Sequence, residues 1–158
     1  MDYVTIEDIV KYFENLASKC KVIATFSTGE NEDISEGQEN YPHLFLEQPF
    51  EIREVIGGSK IGDKALVNYE VYRIIFKVLD RVEDKTQYTA ITSKCKNIAS
   101  YLVRKIQKDK FSPYSIEDVS HLTDTDTNDN ACTFDRVEFD LKFARWVNNC
   151  DLDTIFDA

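Results

Sequence analysis

The stretch Phe134-Asp-Arg-Val-Glu-Phe-Asp-Leu-Lys-Phe-Ala-Arg-Trp-Val147 decides the fold. Val137, Phe139, Leu141 and Phe143 fall on one side of an extended chain, and Arg136, Glu138, Asp140 and Lys142 fall on the other. Alternation with period two over this length marks an antiparallel strand with one buried and one wet face. The wet face carries both signs of charge and no catalytic-looking pair, so it is expected to sit against another surface.

Working outward, Leu66 to Val82 is a second long β-rich run, with Tyr72, Ile74, Phe76 and Val78 on one face. His43 to Gln48 reads as a strand ended by Pro49, and Phe50 to Ile56 as its continuation after a break. The latter should pair with Leu66–Val82 as a large hairpin across a connector marked by Gly57-Gly58 and Gly62-Asp63. Val22–Phe26 is a short candidate strand. Two helices complete the pattern. Thr5-Ile-Glu-Asp8 resembles a capping box with Asp in place of Glu or Gln. Behind it Ile6, Ile9, Val10, Phe13, Leu16, Ala17 and Cys20 recur at helical spacing, which predicts a helix over 5–20. Ile91, Cys95, Ile98, Leu102 and Ile106 predict a second from Tyr88 to about Lys108, with basic residues crowding the end that suits the helix dipole.

The expected fold is α+β: a mostly antiparallel sheet with two amphipathic helices packed on one face. Residues 1–150 form one domain with long acidic loops at 29–40 and 111–132, and 151–158 form an arm. A chain of 158 residues can bury a core of this kind. There are no internal repeats.

Composition narrows the function. The formal charge is −10, which argues against a general nucleic-acid binder, because phosphate contact needs a basic surface. The acidic start of the chain has no apolar segment of the signal-peptide kind, and no apolar run approaches the roughly 20 residues of a membrane helix. Four cysteines and two histidines, with no Cys-x-x-Cys pair, argue against structural zinc. Cys20 and Cys95 fall on apolar helix faces, and a reducing cytosolic compartment is expected.

Three motifs carry a chemical reading beside a plainer one. Asp124, Asp126, Asn128 and Asp135 occupy oxygen positions of a twelve-residue calcium loop, but Asp129 stands where the turn needs glycine and the last ligand is not Glu; a solvated hairpin loop is expected. Gly57–Lys64 has phosphate-loop glycines, but Asp63 follows Gly62 where Lys is required. Cys132 with His121 is a nucleophile–base pairing on paper, although nothing in the sequence orients the histidine. No catalytic residue, cofactor or metal is assigned.

Charge distribution says more. Glu30, Glu32 and Asp33 open a strongly acidic loop, whereas Lys94, Lys96, Arg104 and Lys105 lie in a basic helix. Leu152, Ile155 and Phe156 sit among aspartates in 151–158, and apolar residues in such an arm need cover. These ten residues are the expected contacts with neighbouring copies of the chain.

The element order resembles the tail-terminator and neck proteins of tailed bacteriophages: a helix at Ile6–Cys20, a hairpin with its long strand at Leu66–Val82, a helix at Tyr88–Lys108 and a closing strand at Arg136–Val147. The ending Arg-x-x-x-Asp-x-x-x-x-Arg-Trp-Val over 136–147 is similar to closing strands of that group. The resemblance implies a non-enzymatic virion component, assembled in the host bacterial cytoplasm. It would form a homo-oligomeric ring that joins portal, neck or tail layers and lets DNA pass without specific binding and without a membrane. The alternative class is a small cytosolic binding module or enzyme with a cleft between sheet and helices.

Overall fold

A computed structural model describes residues 4–30, 40–60, 65–109, 114–126 and 132–148. The order is α1 (Ile6–Lys19), β1 (Thr25–Gly29), β2 (His43–Glu47), β3 (Glu51–Lys60), β4 (Ala65–Arg81), α2 (Tyr88–Asp109), β5 (Tyr114–Asp126) and β6 (Cys132–Asn148). The fold is α+β, a mostly antiparallel six-stranded sheet with two helices. The sheet order is β1-β2-β4-β6-β5, with β3 also paired to β4. Among the described strands only β1 and β2 run parallel.

β4 and β6 are the spine. Each has 17 residues, and they pair from Ala65 opposite Asn148 to Arg81 opposite Cys132. β2 and β3 take turns on the outer edge of β4: β2 pairs with Phe76–Leu79, and β3 pairs with Leu66–Arg73. β5 lies on the far edge, reaching from Tyr114 opposite Phe143 to Asp126 opposite Cys132.

One buried cluster joins Ile9, Phe13 and Leu16 of α1, Cys95, Ile98 and Leu102 of α2, and Leu44, Ile74, Phe76, Val137 and Phe139 of the sheet. Phe76 stands between Phe13 (ring centroids 5.7 Å) and Phe139 (6.2 Å). The expected alternation of β6 holds, with Val137, Phe139, Leu141 and Phe143 buried. The α1 cap forms as the sequence predicts. Thr5 N donates to Asp8 Oδ2 at 2.8 Å and Asp8 N donates to Thr5 Oγ1 at 3.2 Å. The bonds that Asp8 Oδ2 accepts from Thr5 N and, at 2.8 Å, from Thr5 Oγ1 draw the Asp8 carboxyl below its usual range, the backbone donor being the larger cause.

Three sequence expectations are corrected. The loop at 111–132 contains the strand β5. Ile116 faces the core side opposite Leu141, but one extra residue enters between Glu117 and Ser120, after which His121 and Thr123 take that side. Asp118 adopts φ 55° at this bulge. A bulge of this kind flips the phase of the alternation, so no period-two signal survives in the sequence. The connector at 57–64 is strand as far as Lys60, with an irregular register between Ile56 and Lys60; the remainder lies outside the described residues. The first strand starts at Thr25, not Val22. His43 explains the shift: buried in β2, its ring nitrogens bond Thr25 Oγ1 and Ser27 Oγ, each at 2.7 Å. Those bonds tie β1 to β2 and give this histidine a structural role.

Candidate functional site

Three surfaces hold the chemistry of the described residues: an overhanging end of the sheet, a groove between the helices, and a histidine–carboxylate pair.

The overhang follows from lengths. A 17-residue strand spans about 55 Å, while the 22 residues of α2 span about 33 Å. A helix of that length cannot cover the whole spine. The backbone of α1 lies nearest β1 and β2, with Phe13 reaching Phe76 of β4, and that of α2 lies nearest β6, β4 and β5. Glu51 through Val55 of β3 are exposed on both faces, including Ile52 (42%) and Val55 (48%). Alongside lies a charge ladder on the face opposite the core. Arg73 Nε approaches Glu138 Oε1 at 3.0 Å and Asp140 Oδ1 at 3.8 Å, and Arg73 Nη1 lies 3.8 Å from Glu51 Oε2. Arg53 Nη2 reaches Asp140 Oδ2 at 3.3 Å, and Arg136 Nη1 reaches Glu138 Oε2 at 2.9 Å. The mixed charges of β6 therefore answer charges on β3 and β4 of the same chain, which accounts for them without a second surface.

The groove, of about 590 Å³, runs between the two helices. Leu16, Lys19 and Cys20 line it from α1, and Tyr101, Leu102 and Lys105 from α2. Tyr12 Oη donates to Asp109 Oδ2 at 2.8 Å across its end, and Lys105 also bonds Asp109. These partners, Lys105 first, hold the Asp109 carboxyl below its usual range. Tyr101 is 68% exposed, and the Arg104 guanidinium lies 6.0 Å from its ring centre.

The third feature is the one the sequence hid. Asp135 of β6 is fully buried and bonds His121 Nδ1 at 2.6 Å from Oδ2, while Oδ1 has no hydrogen-bond partner among the described residues. Burial raises its carboxyl above the usual range, outweighing the opposing pull of His121 and Lys96. The His121 side chain stays one-quarter exposed (25%). When the Asp135 carboxyl is ionised it can only accept, and Nδ1 is then the donor. The bulge puts His121 on the same face as Asp135, and no sequence spacing could announce that. Nearby, Thr92 Oγ1 lies 2.7 Å from Thr133 Oγ1, and Cys95 Sγ lies 3.9 Å from the Thr133 carbonyl. Burial pushes the Cys95 thiol up to about 12, which makes it a poor nucleophile.

The other sequence candidates resolve as follows. Cys132 and His121 face opposite sides of the sheet, and Cys132 Sγ bonds Tyr41 Oη at 3.4 Å; that pairing is excluded. Asp124 and Asp135 also face opposite sides, so they cannot hold one calcium ion. Lys94 pairs with Asp80 at 2.8 Å. Lys96 and Arg104 are exposed, as is Glu30 just beyond β1. Glu32, Asp33, Leu152, Ile155 and Phe156 lie outside the described residues. Among the described residues no helix is long and apolar enough to cross a membrane. No family model and no curated protein matches the chain.

Proposed function

We propose that this chain is a structural subunit of the neck or tail of a tailed bacteriophage. In this reading it assembles with copies of itself into a ring of the tail-terminator or head-tail connector type, between adjacent layers around the DNA channel. The overhanging end of the sheet carries the reading. At this end β4 and β6 bury Tyr72, Leu141 and Phe143, whereas the edge strand β3 leaves Ile52 and Val55 exposed with Arg53 and Arg73 beside them. Exposed strand edges with apolar residues are sites of pairing with another chain. Heterologous contacts of this kind close into rings when the rotation closes.

The arrangement takes both helices to cover the same face of the sheet, leaving the charged ladder outward. Support comes from Ile9 and Phe13 sharing one cluster with Ile98 and Leu102. A formal charge of −10 suits a channel wall that DNA slides past, since like charge disfavours phosphate contact. The subunit would act in the virion without catalysis.

Light scattering with negative-stain microscopy tests this. Rings of uniform diameter are expected, and a strictly monomeric mass across the micromolar range overturns the proposal. The alternative, a binding module or small enzyme, draws on the Asp135–His121 pair, a buried carboxylate orienting an accessible imidazole. Monomers with saturable small-molecule binding, lost in His121→Gln, would favour it.

A further inference from the structure

The groove between α1 and α2 has a lining whose chemistry is matched by a segment of the same chain. Its floor is apolar, from Leu16 and Leu102, with the ring of Tyr101 standing open beside it. Its rim is basic: Lys19 and Lys105 line it, and exposed Arg104 and Lys108 flank it on the last turns of α2. The acid of the lining, Asp109, is already held by Lys105 and Tyr12. A partner for this site should present apolar side chains along one side and negative charge along the other.

Residues 151–158, Asp-Leu-Asp-Thr-Ile-Phe-Asp-Ala, match that description. Leu152, Ile155 and Phe156 are spaced i, i+3, i+4, the pattern by which an amphipathic helix lays its apolar side into a groove. Asp151, Asp153 and Asp157 supply three negative charges with no lysine or arginine among them. We propose that the groove receives residues 151–158 of a second copy of this chain, with Leu152, Ile155 and Phe156 on the floor and the aspartates against the basic rim. The choice of a second copy rests on the ring reading above. A segment handed from each subunit to the next gives a head-to-tail contact that repeats around a ring. The match of charge sets partner and register, and the apolar anchors hold the contact.

The test uses the full chain with a photoreactive benzoylphenylalanine replacing Phe156. Equal amounts of ordinary and ¹⁵N-labelled chain are mixed, irradiated and mapped by mass spectrometry. Cross-links from 156 to the Tyr101–Lys105 or Asn15–Cys20 peptides, half of them joining a light to a heavy chain, are expected. Tyr101→Ala and Arg104→Glu together should reduce them about tenfold, as loss of an aromatic anchor and its flanking charge would. Both residues are exposed, so an unchanged melting temperature should confirm that the fold survives. Cross-links confined to one isotope overturn the second-copy assignment, and cross-links mapping away from the two helices overturn the groove. The two readings fail separately: rings with no groove cross-links overturn this inference alone, whereas a monomeric particle overturns the ring.

Discussion

The two ends of the β4–β6 spine are made of the same kind of strand and have opposite surroundings. At the Phe76–Leu79 end, both faces are closed. Phe76 and Val137 lie in the helix-bearing core, and Phe45 and Leu79 are buried on the reverse. At the β3 end, Ile52, Arg53, Glu54 and Val55 are all exposed. The first end has the burial that drives folding. In the second, β4 and β6 still bury Tyr72, Leu141 and Phe143, but the edge strand β3 pairs without cover of its own, which costs ordering entropy and gains little apolar burial for that strand. The contrast teaches where to look for each property: stability in the covered end and, on the proposed reading, association in the overhang.

The largest effects should come from the covered end. Phe76→Ala removes a fully buried ring that touches Phe13 and Phe139, and should cost about 3–5 kcal/mol. Leu102→Ala, at 3% exposure, should cost about 2–5 kcal/mol. Urea melts measure both. If Val55→Ala in the overhang cost as much as either, the division between the two ends would be broken, because an exposed position is expected within about 0.5 kcal/mol.

Asp135 sharpens the comparison, since it is a charge placed inside the covered end. Its carboxyl is raised by burial. A raised folded value means that this group's contribution is fully present below the unfolded value, near pH 4, and is lost as pH rises through the folded value. Wild type should therefore lose stability relative to Asp135→Asn between pH 4 and pH 7, as read from paired denaturant melts. A difference that grows in favour of wild type over that range would contradict the assignment.

The smallest effect belongs to Lys94, whose side chain is 53% exposed in its pair with Asp80. Lys94→Ala should cost about 0–1 kcal/mol, less still in high salt. A loss above about 2 kcal/mol would mean that this rim pair is far better shielded than its exposure implies.

How much of this could be read from residues alone follows the same division. β6, β4, α1 and α2 were legible because each hides one face, which imprints a period of two or 3.6 on the chain. β5 was not, because it is a polar edge strand with a bulge at Asp118 that breaks its phase. The Asp135–His121 pair depends on that bulge and was equally hidden. The charges of β6 were legible one by one, but Arg53 and Arg73 as their partners were not, since the register of three strands brings them together. The groove could not be read either: its walls come from residues more than eighty positions apart, such as Leu16 and Leu102.

The most direct measurement is sedimentation velocity on the paired substitution Ile52→Asp and Val55→Asp, run beside a thermal melt. Both side chains are exposed in the overhang, so the melting temperature should move by no more than about 2–4 °C, corresponding to under about 1 kcal/mol. On the ring proposal, wild type should sediment as an assembly and the doubly substituted protein as a monomer. An assembly that persists with unchanged mass and affinity, in a protein that melts normally, would show that the overhang is not the joining surface.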